Sequence, residues 1–202
     1  MPRDERFSSS NPFSTRFVRP GAIPYHFPAG QCAADLISKL AALGWRGQII
    51  GPHGSGKSTL IAKLVEPLAL RGRPSWMICL RDGQRRPPFD WIGQAEHAGA
   101  RLILVDGYEQ LGCWSRFWLK AGCRQRGWGL LVTAHRDVGL PTLFETTTSV
   151  QTAEAVVEHL LPRRGTMISR QMVTESFAAA HGNLREMLFA LYDHYENSSE
   201  SG

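Results

Sequence analysis

The sequence predicts an α/β protein: a doubly wound parallel sheet layered between helices, followed by a small helical unit at the C-terminus. Three observations predict it. Short apolar runs without alternation, Arg101-Leu102-Ile103-Leu104-Val105-Asp106 above all, suit strands covered on both faces in the middle of a parallel sheet. Between such runs lie segments whose apolar residues recur at helical spacing, so that strands and helices alternate. After Thr152 the strand-like runs stop and only helical stripes remain.

Residues 1–30 are rich in Ser, Pro and aromatic residues and carry no period; they predict an extended arm, anchored where Phe17, Tyr25 and Phe27 dock on the core. Ala33 to Leu43 predicts a helix with Leu36, Leu40 and Leu43 on one face, ended by Gly44. Gln48-Ile49-Ile50 closes a short strand. After Gly51 to Thr59, residues Leu60, Ile61, Leu64, Val65 and Leu68 mark a helix, which Pro67 is expected to bend or end because it lacks an N–H and crowds the preceding turn. Ser75 to Leu80 reads as a buried strand, and a short helix follows near Asp90 to Ala98. Arg101 to Asp106 is the clearest strand. Trp114, Phe117, Trp118 and Ala121 recur at i, i+3, i+4, i+7 in the next helix, and Gly129 to Ala134 is a further strand. At the end of the chain, Val156, Val157, Leu160 and Leu161 form one stripe, and Leu184, Met187, Leu188, Leu191, Tyr192 and Tyr195 form another. Arg170 to His181 is a helix between them, and Gly182-Asn183 supplies a turn and a helix start. The expected division is an arm over 1–30, a nucleotide-binding domain over 31–150, a helical lid over 151–196 and a disordered tail over 197–202.

A chain of 202 residues with 43% hydrophobic content suits one domain with an appendage. No apolar run approaches the roughly 18 residues of a membrane span, and the first residues, MPRDERFSSS, lack the apolar core of a signal peptide, which makes the cytoplasm the expected compartment. Cys32, Cys79, Cys113 and Cys123 show no C-x-x-C spacing and read as reduced packing residues rather than zinc ligands. The net charge of +5 permits contact with nucleic acid or acidic surfaces. Its densest cluster, Arg81, Arg85 and Arg86, reads either as a solvated loop or as a weak, sequence-independent phosphate contact.

The stretch GPHGSGKST carries the chemistry. Its letters satisfy G-x-x-x-x-G-K-[ST] between a strand and a helix, the context that pattern requires. In such a loop the backbone N–H groups of Gly51, Pro52, His53, Gly54, Ser55, Gly56 and their neighbours cradle phosphate oxygens, proline excepted because it has no N–H. Lys57 then reaches the β- and γ-phosphates, and Ser58, followed by Thr59, offers a hydroxyl to magnesium. This segment resembles the P-loop NTPases, with ATP and Mg2+ as the implied ligands. Asp106, an acid at the end of an apolar strand, is placed like the second phosphate-site motif of those enzymes, so it is the expected magnesium acid.

Further matches narrow the resemblance to AAA+ ATPases, over approximately Ala33 to Tyr195. Thr133-Ala134-His135 ends a strand in the manner of their first sensor, which implies Thr133, and His181-Gly182-Asn183-Leu184-Arg185 resembles the turn opening their lid helix, which implies that Arg185 reaches back to nucleotide. The aromatic residues Tyr25 and Phe27 either stack on the base or pack in the core. The chain also departs from that pattern: Gly107 stands where the family carries a water-activating Glu. Glu109 is the nearest substitute base, although a helix-start acid is an equal reading, and Asp82 is the runner-up. No clear trans-acting arginine can be named, although Arg136 is a candidate, so the sequence does not support ring assembly. The expected activity is therefore a slow, Mg2+-dependent ATPase acting as a switch or motor-like subunit, with a protein partner or self-association completing the site. A small-metabolite or nucleotide kinase and a nucleotide-binding scaffold without turnover are the rival classes. No L-S-G-G-Q sequence is present, which disfavours an ABC-type ATPase.

Overall fold

The computed structural model describes residues 11–28, 30–161 and 168–199. The chain divides into two compact units, Pro24–Thr147 and a second that joins Met1–Ile23 to Thr148–Gly202. In chain order the helices are α1 (Thr15–Val18), α2 (Ala33–Ala42), α3 (Lys57–Leu70), α4 (Trp91–His97), α5 (Cys113–Gln125), α6 (Val150–Leu160), α7 (Arg170–Ala179) and α8 (Leu184–Ser199). The strands are β1 (Arg46–Ile50), β2 (Ser75–Cys79), β3 (Leu102–Asp106), β4 (Gly129–Ala134) and β5 (Thr142–Glu145), and a 3-10 turn, Tyr108–Gln110, links β3 to α5.

The first unit is a five-stranded sheet in the order β2-β3-β4-β1-β5, parallel throughout. The two-residue period of a strand distributes β3 between two cores. Leu102 and Leu104 pack with Leu36, Leu40, Leu60 and Leu64 of α2 and α3, whereas Ile103 and Val105 pack with Trp91, Ala95 and Leu119 of α4 and α5. Helices therefore cover both faces, as the unbroken apolar run requires. β4, buried along its whole length, lies between β3 and β1 and brings their carboxyl ends level, with Val105 opposite Val132 and Ile50 opposite Ala134.

Several local expectations need correction. α3 passes through Pro67 and ends three residues later. Leu60, Ile61, Leu64 and Leu68 are all fully buried, and at about 1.5–3 kcal/mol each their burial outweighs the roughly 3 kcal/mol that an interior proline costs. β2 is an edge strand, and of its five residues only Ile78 is buried. Along α5 the helical period is real, but its aromatic stripe faces solvent. Leu119, Gly122 and Cys123 are the buried residues, and a Cβ at Gly122 would lie 3.1 Å from the Trp91 ring, so small residues set how closely α5 approaches. A period identifies a stripe without telling which stripe meets the sheet. Of the cysteines only Cys123 is buried, its thiol pKa pushed up to about 12 by burial, while Cys32, Cys79 and Cys113 are exposed.

β5 and α1 have no counterpart in the sequence reading. β5 spans four residues with one buried side chain, Leu143, too little for a periodic signal.

The second unit is helical. Ala153, Val156 and Val157 of α6, Val173 and Phe177 of α7, and Met187, Leu188 and Leu191 of α8 form its core, together with Phe13 and Ile23 from the N-terminal arm. Side chains cap these helices at their starts. Ser149 accepts from Thr152 N at 3.1 Å, Ser169 from Met172 N at 3.2 Å, and Asn183 Oδ1 from Arg185 N at 3.1 Å and Glu186 N at 3.3 Å. The arm thus contributes to both units: Phe13 and Ile23 lie in the helical core, Tyr25 and Phe27 against the sheet unit, and Phe17 is exposed rather than docked. α8 runs to Ser199, so residues 197–199 of the expected tail are helical, while 1–10 and 200–202 lie outside the described residues.

Candidate nucleotide site

The phosphate loop leaves the end of β1 and enters α3 at Lys57, with Gly56 as the N-cap residue in left-handed conformation, φ +87°. Gly51 is required by packing as well as by motif. A Cβ there would fall 2.5 Å from the Thr146 carbonyl oxygen and 3.0 Å from Ser55 Oγ. Thr146, just beyond β5 and fully buried, anchors the loop from outside the motif: its backbone N–H donates to the Ile50 carbonyl at 2.8 Å, and its hydroxyl lies 2.6 Å from that of Ser55. Ser55 Oγ also donates to the Pro52 carbonyl at 2.8 Å. Tyr25 closes the other side, its ring against Gly56 and edge to face with Phe27 at 5.0 Å and Phe144 at 6.3 Å. Burial pushes the Tyr25 phenol up to about 12.

Lys57 is folded onto its own loop. Its Nζ donates to the carbonyls of Gly51 at 2.7 Å and Pro52 at 2.6 Å, and lies 3.2 Å from His135 Nδ1. With 8% of its surface exposed, the ammonium is held below its usual pKa by burial, against the opposing pull of Glu109 and Asp106. This is a buried cation whose charge is satisfied by neutral carbonyl oxygens.

The acid side is assembled from the neighbouring strand ends. Thr133 Oγ1 donates to Asp106 Oδ1 at 2.6 Å and accepts from Gly107 N at 2.9 Å, which fixes the carboxylate across β3 and β4. Gly107 adopts φ +81°, and a Cβ there would lie 3.0 Å from the Leu80 carbonyl oxygen. Glutamate at that position would be both crowded and strained. The left-handed turn instead starts the 3-10 turn that carries Glu109, whose Oε1 lies 2.9 Å from His135 Nε2 and whose Oε2 is buried without a hydrogen-bond partner. His135 stacks on His53 of the phosphate loop, with centroids 3.5 Å apart. Burial and then the Lys57 charge hold the His135 pKa below its ordinary value, the Glu109 carboxylate opposing. Because an ammonium can only donate, Nδ1 accepts from Lys57, and this network assigns the imidazole proton to Nε2, where it points at Glu109.

Lys57, His53, His135 and Glu109 thus form one continuous network linking the phosphate loop to the acid side, and Asp106 is tied to the same strand ends through Thr133. Asp82 is exposed and accepts from Gln110 Nε2 at 3.1 Å. Arg136 is exposed. Arg185 belongs to the helical unit, where its guanidinium lies 5.7 Å from the centre of the Phe189 ring. Sequence reasoning missed Thr146 and the pairing of His135 with Glu109. Neither carries a local signal, because each partner lies far along the chain.

The donor set fits nucleotide and magnesium. Ser58 and Asp106 are hard oxygen ligands of the kind Mg2+ takes, and among the described residues no group of three or more His, Cys, Asp and Glu side chains could hold a metal ion unaided. A magnesium ion here would need phosphate oxygens and water to complete its shell, as it commonly does.

The five-stranded parallel sheet, with β4 inserted between β1 and β3 and helices on both faces, is a fold that this chain shares with solved structures of low sequence identity. The replication initiator DnaA, solved with AMPPCP and single-stranded DNA, matches with a TM-score of 0.51 at 16% identity, over 85% of this chain and 63% of its own. Hsp104 of S. cerevisiae, solved with ADP, matches with a TM-score of 0.55 at 15% identity, over 89% of this chain and 32% of its own. The chain therefore spans less than two thirds of either. No family model matches the sequence, and no curated protein does either.

Proposed function

We propose that the chain binds ATP with Mg2+ and hydrolyses it slowly, as a switch or motor-like subunit whose site is completed by a protein partner or a second copy. The observation that carries this reading is the convergence of Lys57 and Glu109 on His135 at the carboxyl edge of the sheet, beside Asp106. In this reading the loop N–H groups and Lys57 bind phosphate, and Lys57 exchanges two carbonyls for anionic oxygens. Ser58 and Asp106 hold magnesium, which offsets the phosphate charge when bound. Glu109 takes the proton of the attacking water. Slow turnover follows from Gly107, which stands where the resembled enzymes carry their water-activating Glu. Thr133 orients Asp106, and Arg185 is proposed as a lid arginine toward nucleotide.

Two measurements test the reading. Lys57→Ala should lower ATP affinity by about 10²–10³-fold, the equivalent of losing charge-assisted hydrogen bonds of ~1.5–3 kcal/mol each, with an unchanged circular dichroism spectrum. The wild type should release free phosphate from ATP without any added acceptor. Unaltered affinity in a folded Lys57→Ala protein would overturn the site, and phosphoryl transfer only to an added metabolite would make the protein a kinase.

A further inference from the structure

Four large aromatic side chains stand in solvent on the sheet unit. Phe89 is fully exposed, and Trp114, Trp118 and Phe117 keep 78%, 66% and 59% of their surface accessible. Single exposed apolar residues are ordinary, whereas a contiguous cluster marks a contact surface. The residues of α5 are contiguous by spacing, and Phe117 and Trp118 meet edge to face at 5.6 Å. Phe89, Trp114 and Trp118 also line one open groove of about 480 Å³, together with the buried Trp91 and Leu119.

The charges around this groove have one dominant sign. Arg81, Arg85 and Arg86 are exposed in the loop leading to it, and Arg86 lines it. The acids of the same segment are engaged: Asp82 accepts from Gln110 Nε2, and Asp90 caps α4 by accepting from Gly93 N at 3.2 Å. α5 carries Arg116, Lys120 and Arg124 and no acid, with the Arg116 guanidinium held by the Leu111 and Glu109 carbonyls at 2.8 Å. The occupant suited to this surface is a polyanion that also presents flat apolar faces.

We propose that this face binds single-stranded nucleic acid, with Trp114, Trp118 and Phe89 stacking on bases while Arg81, Arg85 and Arg86 hold phosphates. Every base has a π-face, so stacking of this kind tolerates any sequence. Four residues of helix separate Trp114 from Trp118 by about 6 Å along the axis, within the reach of neighbouring bases on an extended strand. In a duplex the bases are stacked on one another and cannot reach the rings, which leaves only the arginine contacts. Aromatic residues and arginine are also common at protein interfaces; the net positive charge, with Arg81, Arg85 and Arg86 outnumbering Asp82 and Asp90 and with α5 free of acids, favours the polyanion here. The inference does not depend on nucleotide binding or hydrolysis.

The test uses the full chain without ATP and a labelled oligodeoxythymidylate of about 20 nucleotides, long enough for a single binding site. Anisotropy gives the affinity and tryptophan quenching reports the stacking. Trp114→Ala with Trp118→Ala should weaken binding by about 10–100-fold without changing the salt dependence, and Trp114→Phe with Trp118→Phe should recover part of the loss. Arg85→Ala with Arg86→Ala should instead flatten the log–log salt slope by about 1.4, close to 0.7 per phosphate contact. All four residues are exposed, so the variants should melt with the wild type. Absence of binding at low salt would leave the face to a protein partner and overturn the proposal, as would binding that survives the tryptophan-to-alanine changes or a duplex that binds as tightly as the single strand.

Discussion

On the phosphate side of the candidate site, nine consecutive residues, Gly51 to Thr59, supply the loop, the lysine and the hydroxyls. On the acid side the groups that meet come from β3, the 3-10 turn after it and the end of β4. The difference shows in how each is held. The loop is shaped mostly by its own glycines and by carbonyls within reach of Lys57, and Thr146 and Tyr25 brace it from outside. The acid side has no such autonomy: Asp106 depends on Thr133, and Glu109 on His135. A contiguous motif can be lost by one local change, whereas an assembled one is controlled by the register of the sheet. His135 is where the two sides join, since it contacts Lys57, His53 and Glu109.

This comparison predicts that the two sides fail differently. The largest effect should come from Glu109→Gln, which keeps the shape but removes the base: turnover should drop by about 10²–10⁴-fold with ATP affinity nearly unchanged. If turnover is insensitive, the two sides are not one site, and Asp82 becomes the base to examine. A smaller effect is expected from Asp106→Asn. The amide oxygen can still accept from Thr133, so the fold should hold, but one unit of charge at the metal is lost. ATP affinity should fall about tenfold in Mg2+, the equivalent of roughly 1.4 kcal/mol, and little in its absence. A mutant whose affinity responds to magnesium as the wild type does would remove Asp106 from the metal site.

The same contrast explains what was legible in the sequence. The loop between β1 and α3 could be read because its glycines and both flanking apolar runs lie in one stretch. β3 could be read because burial on both faces leaves an uninterrupted apolar run. The place of β4 between β1 and β3 is shown by the pairing of the strands and not by its apolar run. α5 shows the limit: its Trp114-Phe117-Trp118 period is real, yet the buried face consists of Leu119, Gly122 and Cys123, and only packing against Trp91 reveals it. Gly107 could be seen as a departure in the sequence, but its consequence could not. Only the backbone shows that its left-handed turn carries the chain into the segment that places Glu109 beside His135.

The smallest predicted effect probes the junction itself. His135 has a folded pKa below the ordinary imidazole value of about 6.5, because burial and the ammonium of Lys57 both disfavour its charged form while Glu109 only partly compensates. Above that ordinary pKa both folded and unfolded chains carry a neutral ring, and no stability is lost. As pH falls through it, the unfolded chain takes up a proton that the folded chain refuses, so unfolding becomes progressively easier until the folded pKa is passed. His135→Asn removes this titration while leaving an amide that can still donate toward Glu109. The melting temperature of wild type should therefore fall by a few degrees more than that of His135→Asn between about pH 7.5 and 5.5, a window that brackets the ordinary imidazole pKa and stays above most carboxylates. Saturating ATP should flatten the contrast if phosphate draws Lys57 away, since the ring then loses the cation that suppresses its charge and its folded pKa rises towards the unfolded value. Parallel melting profiles for the two proteins, with and without ATP, would show that His135 does not couple the phosphate side to the acid side.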